Sequence, residues 1–366
     1  MKKKLSMLSL LGGFAILVVG ALILSSCEGP VGPMGPAGSD GTDGTNGVDG
    51  TDGTDGVAGN AVCLDCHTLD VKAAVNDLWA ASLHGTSQQF YPGSPTTVAY
   101  AGGRNDCAKC HSAEGFIETV WTGLDSTATG FSLPTGIRCK ACHDFHPSLD
   151  FENEPNSAIR QTMPVTLIAG GDVVEFDNDE SNLCMACHQS RENPADDSTP
   201  TAIVEVEGHY GPHHGPQANF INGLGGYEFG TVTSVVGGGP HDCLSCHMGE
   251  VVGDTIGGHT WVADVEGCAE CHATDVEDNM TEIHDLLGDL QVALFTAGMV
   301  DASGHAFESD DEAVPPIVIE YESDSVGALW NFLLIEEDMS DGIHNYDYAK
   351  ALLEASIDAL AAPPTR

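Results

Sequence analysis

The sequence predicts a mainly α-helical chain with much irregular structure, one short β-hairpin and a helical C-terminus. Its interior is filled by more than side chains. Three observations lead there. Aromatic residues are only 6% of the chain and glycine accounts for 44 of 366 positions, which is thin material for an apolar core at this length. Twelve of the 13 cysteines fall into six copies of one short pattern, C-x-x-C-H. Beyond the last cysteine, three stretches carry apolar residues at helical spacing.

The pattern supplies the missing core. Its copies are Cys63–His67, Cys107–His111, Cys139–His143, Cys184–His188, Cys243–His247 and Cys268–His272. C-x-x-C alone holds zinc, runs thiol redox chemistry or closes a disulfide. The following histidine decides between these readings: histidine is 16 of 366 residues, yet it follows all six copies. Covalent haem c attachment requires that arrangement. The two thiols of each motif (Cys63 and Cys66, Cys107 and Cys110, Cys139 and Cys142, Cys184 and Cys187, Cys243 and Cys246, Cys268 and Cys271) add across the haem vinyl groups. His67, His111, His143, His188, His247 and His272 then reach the irons as proximal ligands. Six covalent haems would be the core, wrapped by loops and short helices in a multihaem cytochrome c fold.

The individual elements follow from local pattern. Asp70 to Leu83 has helical spacing through Val71, Val75, Leu78 and Trp79. Pro164 to Phe176 reads as a hairpin with its turn at Gly170-Gly171. Asn279–Val300, Asp324–Glu337 and Asn345–Ala361 read as C-terminal helices that close over the last haems. Intervals between motifs are uneven, so the haem module is no tandem repeat of one unit.

Residues 1–26 read as a secretory signal, with Lys2–Lys4 as the charged region and an apolar run from Leu8 to Leu24. Leu24-Ser25-Ser26-Cys27 resembles a bacterial lipobox, and Cys27 is the one cysteine no haem needs. Acylated Cys27 would tether the chain to the lipid membrane. Glu28 in the next position favours the outer membrane, by resemblance to enterobacterial sorting. From Gly29 to Gly59 glycine holds every third position, eleven in all, in a collagen-like Gly-x-y tract. A homotrimeric stalk of this kind would reach about 90–100 Å. The sparse proline favours a flexible monomeric spacer. The expected organisation is a signal at 1–26, lipidated cysteine and stalk at 27–60, a hexahaem module at 61–278, and a C-terminal helical part at 279–366.

Ten histidines lie outside the motifs, and six irons need six distal ligands if all are low-spin. The expected donors are His84, His146, His241, His259 and His344, with the sixth from the cluster His209, His213 and His214. His284 and His305 stand in reserve. His146 follows His143 by three residues and His241 precedes Cys243 by two. Neither can easily round a porphyrin edge to the far side of its own haem, so each should serve a neighbouring haem and lace the haems together.

Four segments resemble known multihaem cytochromes, Leu78-Trp79 to His84-Gly85 and His213-His214-Gly215-Pro216-Gln217 less specifically than the two that follow. Gly258-His259-Thr260-Trp261 is similar to the Gly-His-Thr-aromatic segment that supplies a distal histidine in many of them. Gly342-Ile343-His344-Asn345 resembles the C-terminal Gly-x-His segment of the pentahaem nitrite reductases and their relatives. The nitrite reductases carry a catalytic C-x-x-C-K haem, and no such motif occurs here. The resemblance implies an extracytoplasmic electron carrier, with redox proteins or an extracellular acceptor as partners. A reductase of a small nitrogen or sulfur compound and a cytochrome-filament subunit are the alternatives. With 12 Lys+Arg against 55 Asp+Glu, a net charge of −43 argues against nucleic acid as a partner. The expected location is the bacterial cell envelope, on the outer membrane facing periplasm or cell surface.

Overall fold

The computed structural model describes residues 67–86, 100–146, 158–196, 198–199, 202–206, 210–233, 242–253, 255–265, 275–306 and 319–361. The signal segment, the stalk, Cys27, Cys63, Cys66, His209, His241, Cys268, Cys271 and His272 lie outside the described residues. Among the described residues, no helix is long and apolar enough to cross a membrane.

The first half is built from short helices with explicit stops. Helix α1 (Leu69–Ala81) starts at Thr68, whose hydroxyl accepts the Val71 N–H at 3.1 Å. A second short turn, α2 (Leu83–Thr86), follows at once. The Trp79 indole N–H donates to the Ile137 carbonyl at 3.1 Å, and the Arg138 guanidinium lies over the same ring. The helix is thereby tied to the approach of the third motif. Helices α3 (Ala108–His111) and α4 (Ala113–Thr122) are separated by Ser112, whose hydroxyl caps α4 by accepting the Gly115 N–H. Residue 115 must be glycine, because a Cβ there would stand 2.2 Å from the Ala108 carbonyl oxygen. Helix α4 ends on Gly123 in the left-handed region. The third motif forms α5 (Cys139–Cys142).

The hairpin lies where the alternation predicts it. Strands β1 (Val165–Thr166) and β2 (Val173–Val174) pair antiparallel, Val165 opposite Val174. Gly170 and Gly171 turn the chain at φ 81° and 78°. Its inward Val165, Leu167 and Val174 meet Phe116 of α4 and Met185 of α6 (Asn182–Met185) in a small apolar cluster. That cluster sits among the second, third and fourth motifs.

A larger side-chain core occupies the C-terminal part. Strand β3 (Ile203–Val206), helix α7 (Gln217–Ile221), helix α8 (Cys243–His247) and helix α9 (Asp275–Ala297) precede strand β4 (Ile319–Glu322), helix α10 (Ser323–Asp338) and helix α11 (Tyr346–Ala361). Ile283, Leu290 and Leu294 of α9 pack with Leu329, Trp330 and Leu334 of α10 and Tyr348, Leu352 and Leu353 of α11. Helix α10 is buried nearly all round, which makes it the central helix. Asn331 pins it: its side chain accepts the Tyr227 N–H at 2.7 Å and donates to the Tyr227 carbonyl and the Ser356 hydroxyl. Strands β3 and β4 pair antiparallel, Val204 opposite Tyr321. This second sheet joins segments more than a hundred residues apart, so local pattern gave no sign of it. The three C-terminal helices match the expected stretches to within a few residues, and the chain is mainly helical with small sheets, as predicted.

Candidate functional site

A helical turn explains why the motif spacing works. In the described motifs, helices α3, α5, α6 and α8 carry one or both cysteines and bring the two thiols and the histidine toward one face, three and four residues apart. Helix α8 has a reciprocal cap: Asp242 accepts the Ser245 N–H while the Ser245 hydroxyl accepts the Asp242 N–H. Around the third motif, Arg160 donates to the carbonyls of Lys140 and His143 and pairs with Asp144 at 2.8 Å. Segments of different motifs also meet. The Cys187 thiol donates to the Lys109 carbonyl at 3.8 Å, and Ser181, just before the fourth motif, donates to Asp242 at 2.8 Å and accepts the Leu244 N–H at 3.2 Å. The fourth motif segment therefore touches both the second and the fifth.

Five motif histidines each face a histidine from a distant part of the chain. Ring centroids are 6.2 Å apart for His67–His146, His111–His213, His143–His259 and His247–His344, and 5.9 Å for His84–His188. Interplanar angles run from 30° to 82°. Direct ring packing would fix angle and distance together. Here the distance is nearly constant while the angle is free. Two imidazoles bound through facing nitrogens at about 2 Å from a shared ion would stand about 6 Å apart, and each could rotate about that axis. The donor sets thus fit an iron between each pair. Among the described residues, no group of three or more His, Cys, Asp or Glu side chains converges as on a single caged ion.

Burial favours the neutral form at five of these imidazoles. Burial, with His188 nearby, pushes His84 down to about 4, and burial, then Arg191, does the same to His213. Burial also lowers His111, His188 and His259. Ring protons are accounted for at three positions. His247 Nδ1 donates to the Trp261 carbonyl at 2.8 Å, His188 Nδ1 to the Gln217 side-chain oxygen at 3.2 Å, and His344 Nδ1 to the Asp338 carboxylate at 2.8 Å. Each leaves Nε2 as the lone-pair donor. At His344 burial opposes the charged form, but the Asp338 carboxylate prevails and raises the group.

Trp261 is a junction. Its ring meets His84 edge-on at 4.7 Å and His259 at 5.4 Å, while its carbonyl holds His247. Three histidine pairs are braced by one residue, itself in the left-handed region at φ 55°.

Of the expected distal donors, the structure brings His84, His146, His213, His259 and His344 opposite motif histidines. His146 faces His67, not its sequence neighbour His143. His209 and His241 fall outside the described residues. His214 instead stacks beside His213 and pairs with Glu337 at 2.6 Å. His284 and His305 are exposed. Sequence reasoning did not find Asp338, Gln217 or the bracing role of Trp261. Trp261 and Gln217 stood inside segments that resemble those of known multihaem cytochromes; Asp338 carried no signal.

The chain is similar to known cytochromes. Residues 48–199, which include the first four motifs, match the family model "Outer membrane cytochrome MtrC/MtrF-like, domains II/IV". The C-type polyheme cytochrome OmcB of Geobacter sulfurreducens is 23% identical over 402 residues, covering 81% of this chain and 54% of OmcB. The chain thus spans about half the length of that curated relative. Two solved structures are also similar. The outer cell wall cytochrome OcwA has a TM-score of 0.48 at 20% identity, over 77% of this chain and 49% of OcwA. An undecaheme cytochrome from the S-layer of Carboxydothermus ferrireducens has a TM-score of 0.43 at 18% identity, over 71% and 38%. With its repeated C-x-x-C-H motifs, the matching cytochrome family model and the likeness to OmcB, the chain is a multihaem c-type cytochrome.

Proposed function

We propose that this chain carries six covalent haems, each held between two histidines, and relays electrons outside the cytoplasm. The observation that carries the reading is the set of five histidine pairs at nearly one separation. The proposed axial pairs are His67–His146, His111–His213, His143–His259, His188–His84 and His247–His344. His272 takes its partner from outside the described residues, with His241 and His209 as the candidates.

Haem supplies one-electron chemistry at each site. The chain's residues attach it, align it and close its iron on both sides. Two imidazoles leave no open position for a small substrate, which suits a conduit better than a reductase. Hydrogen bonds between the second and fourth motif segments, and between the fourth and fifth, support close succession of those sites. Each distal histidine comes from a remote segment, so the chain cross-links neighbouring sites. The relatives named above are outer-membrane and polyhaem cytochromes. They support a place in the cell envelope and a redox protein or extracellular acceptor as partner. Acylated Cys27 would anchor the chain to lipid, with the Gly-x-y tract as spacer.

Exchanging His84 or His259 for alanine tests the ligand assignment. Each variant should convert one haem to a high-spin form that binds carbon monoxide. Spectra that stay fully low-spin in both would overturn it.

A further inference from the structure

The buried carboxylate of Asp338 holds the ring proton of His344. It is the last residue of α10, where the helix dipole is negative, and its side chain is 0% exposed. A charge there is unfavourable unless something opposite compensates it. Its oxygens accept from the Ser340 hydroxyl and from His344 Nδ1. Among the described residues, no Lys or Arg forms an ion pair with it. The compensating charge must come through His344.

This argument rests on the reading that His344 and His247 hold one haem iron. A ferric haem with two neutral imidazoles carries one net positive charge, and the ferrous form carries none. A carboxylate hydrogen-bonded to the ligand strengthens its donation and stabilises the ferric state. At the fourth site His188 meets a neutral amide, Gln217, whose Nε2 in turn donates to the Asp338 carbonyl at 3.0 Å. The fourth and fifth motif segments are adjacent through Ser181, whose hydroxyl donates to Asp242 and accepts the Leu244 N–H. We infer that Asp338 is a positioning and charge-setting residue that holds the fifth haem at a lower reduction potential than the fourth. An electron on the fifth haem then passes downhill to the fourth, which gives that step a direction.

The test is a redox titration of the haem-loaded protein by visible spectroscopy, with haem content and circular dichroism as checks of folding. H344A marks the fifth haem and H84A the fourth, because each should turn its own haem high-spin. D338N keeps the shape and removes the charge. It should raise the reduced-to-oxidised ratio of the fifth haem at least tenfold at fixed potential, about 59 mV for a one-electron couple. S340A loosens the same turn but keeps the charge, and should change that ratio less than threefold. In the unmutated protein the fifth haem should titrate below the fourth, a measurement that stands even if D338N does not fold. If H344A leaves every haem low-spin, the axial-ligand reading itself fails. If H344A opens one haem but D338N leaves its ratio within threefold, or the fifth titrates above the fourth, the role of Asp338 is overturned alone.

Discussion

A histidine that gives one nitrogen to a metal must place the proton of the other, and the acceptor it finds tunes the bond it makes. His247 finds a backbone carbonyl, His188 an amide and His344 a carboxylate. Trp261 supplies the first of these while its ring supports His84 and His259. W261L keeps the carbonyl and removes the indole edge. It should alter the low-spin electron paramagnetic resonance of the two haems bound by His84 and His259, with the number of attached haems unchanged. Unaltered signals would contradict the bracing role. At this scale the sequence was partly legible. His259 and His344 stood in segments resembling known distal donors, and His146 could be sent to a neighbouring haem by geometry alone. His213 and His214 could not be separated, because adjacent residues share every sequence signal. Backbone conformation separates them: His213 adopts φ 66° and faces His111, while His214 turns to Glu337. Asp338 was illegible because it follows Glu336 and Glu337 and reads as part of an acidic surface.

The elements divide by what fills their interior. Around the motifs, single helical turns and loops suffice, since the bound groups supply the apolar volume. In α9–α11, side chains supply it. Two glycines show the difference between packing and propensity. Gly327 of α10 lies against Tyr227, where a Cβ would stand 2.2 Å from the ring, whereas Gly288 of α9 has nothing within 4 Å. G327A should therefore destabilise the chain by about 1–3 kcal/mol through overpacking. G288A should stabilise it by about 0.5–1 kcal/mol through helix propensity alone. Denaturant titrations followed by circular dichroism would read opposite signs. L352A, at a fully buried position of α11, should cost about 2–5 kcal/mol. These helices and the hairpin were legible because their period is local. The β3–β4 pair was not, because its register is set by the packing of α10 and by the hydrogen bonds of Tyr227, neither of which leaves a mark near residues 203–206.

At the scale of the whole molecule, the chain carries a net charge of −43. Such a charge argues against a peripheral hold on anionic lipid, and the proposed hold on the membrane is the acylated Cys27. C27S should release the protein from the membrane fraction while leaving its haem spectrum intact, as fractionation and absorbance would show. The central claim is that paired histidines close every iron. Low-temperature electron paramagnetic resonance of the purified oxidised protein, with haem stoichiometry by mass, tests it most directly. The account predicts six haems per chain, all low-spin ferric. A high-spin signal worth one haem or more, or fewer than six attached haems, would contradict it.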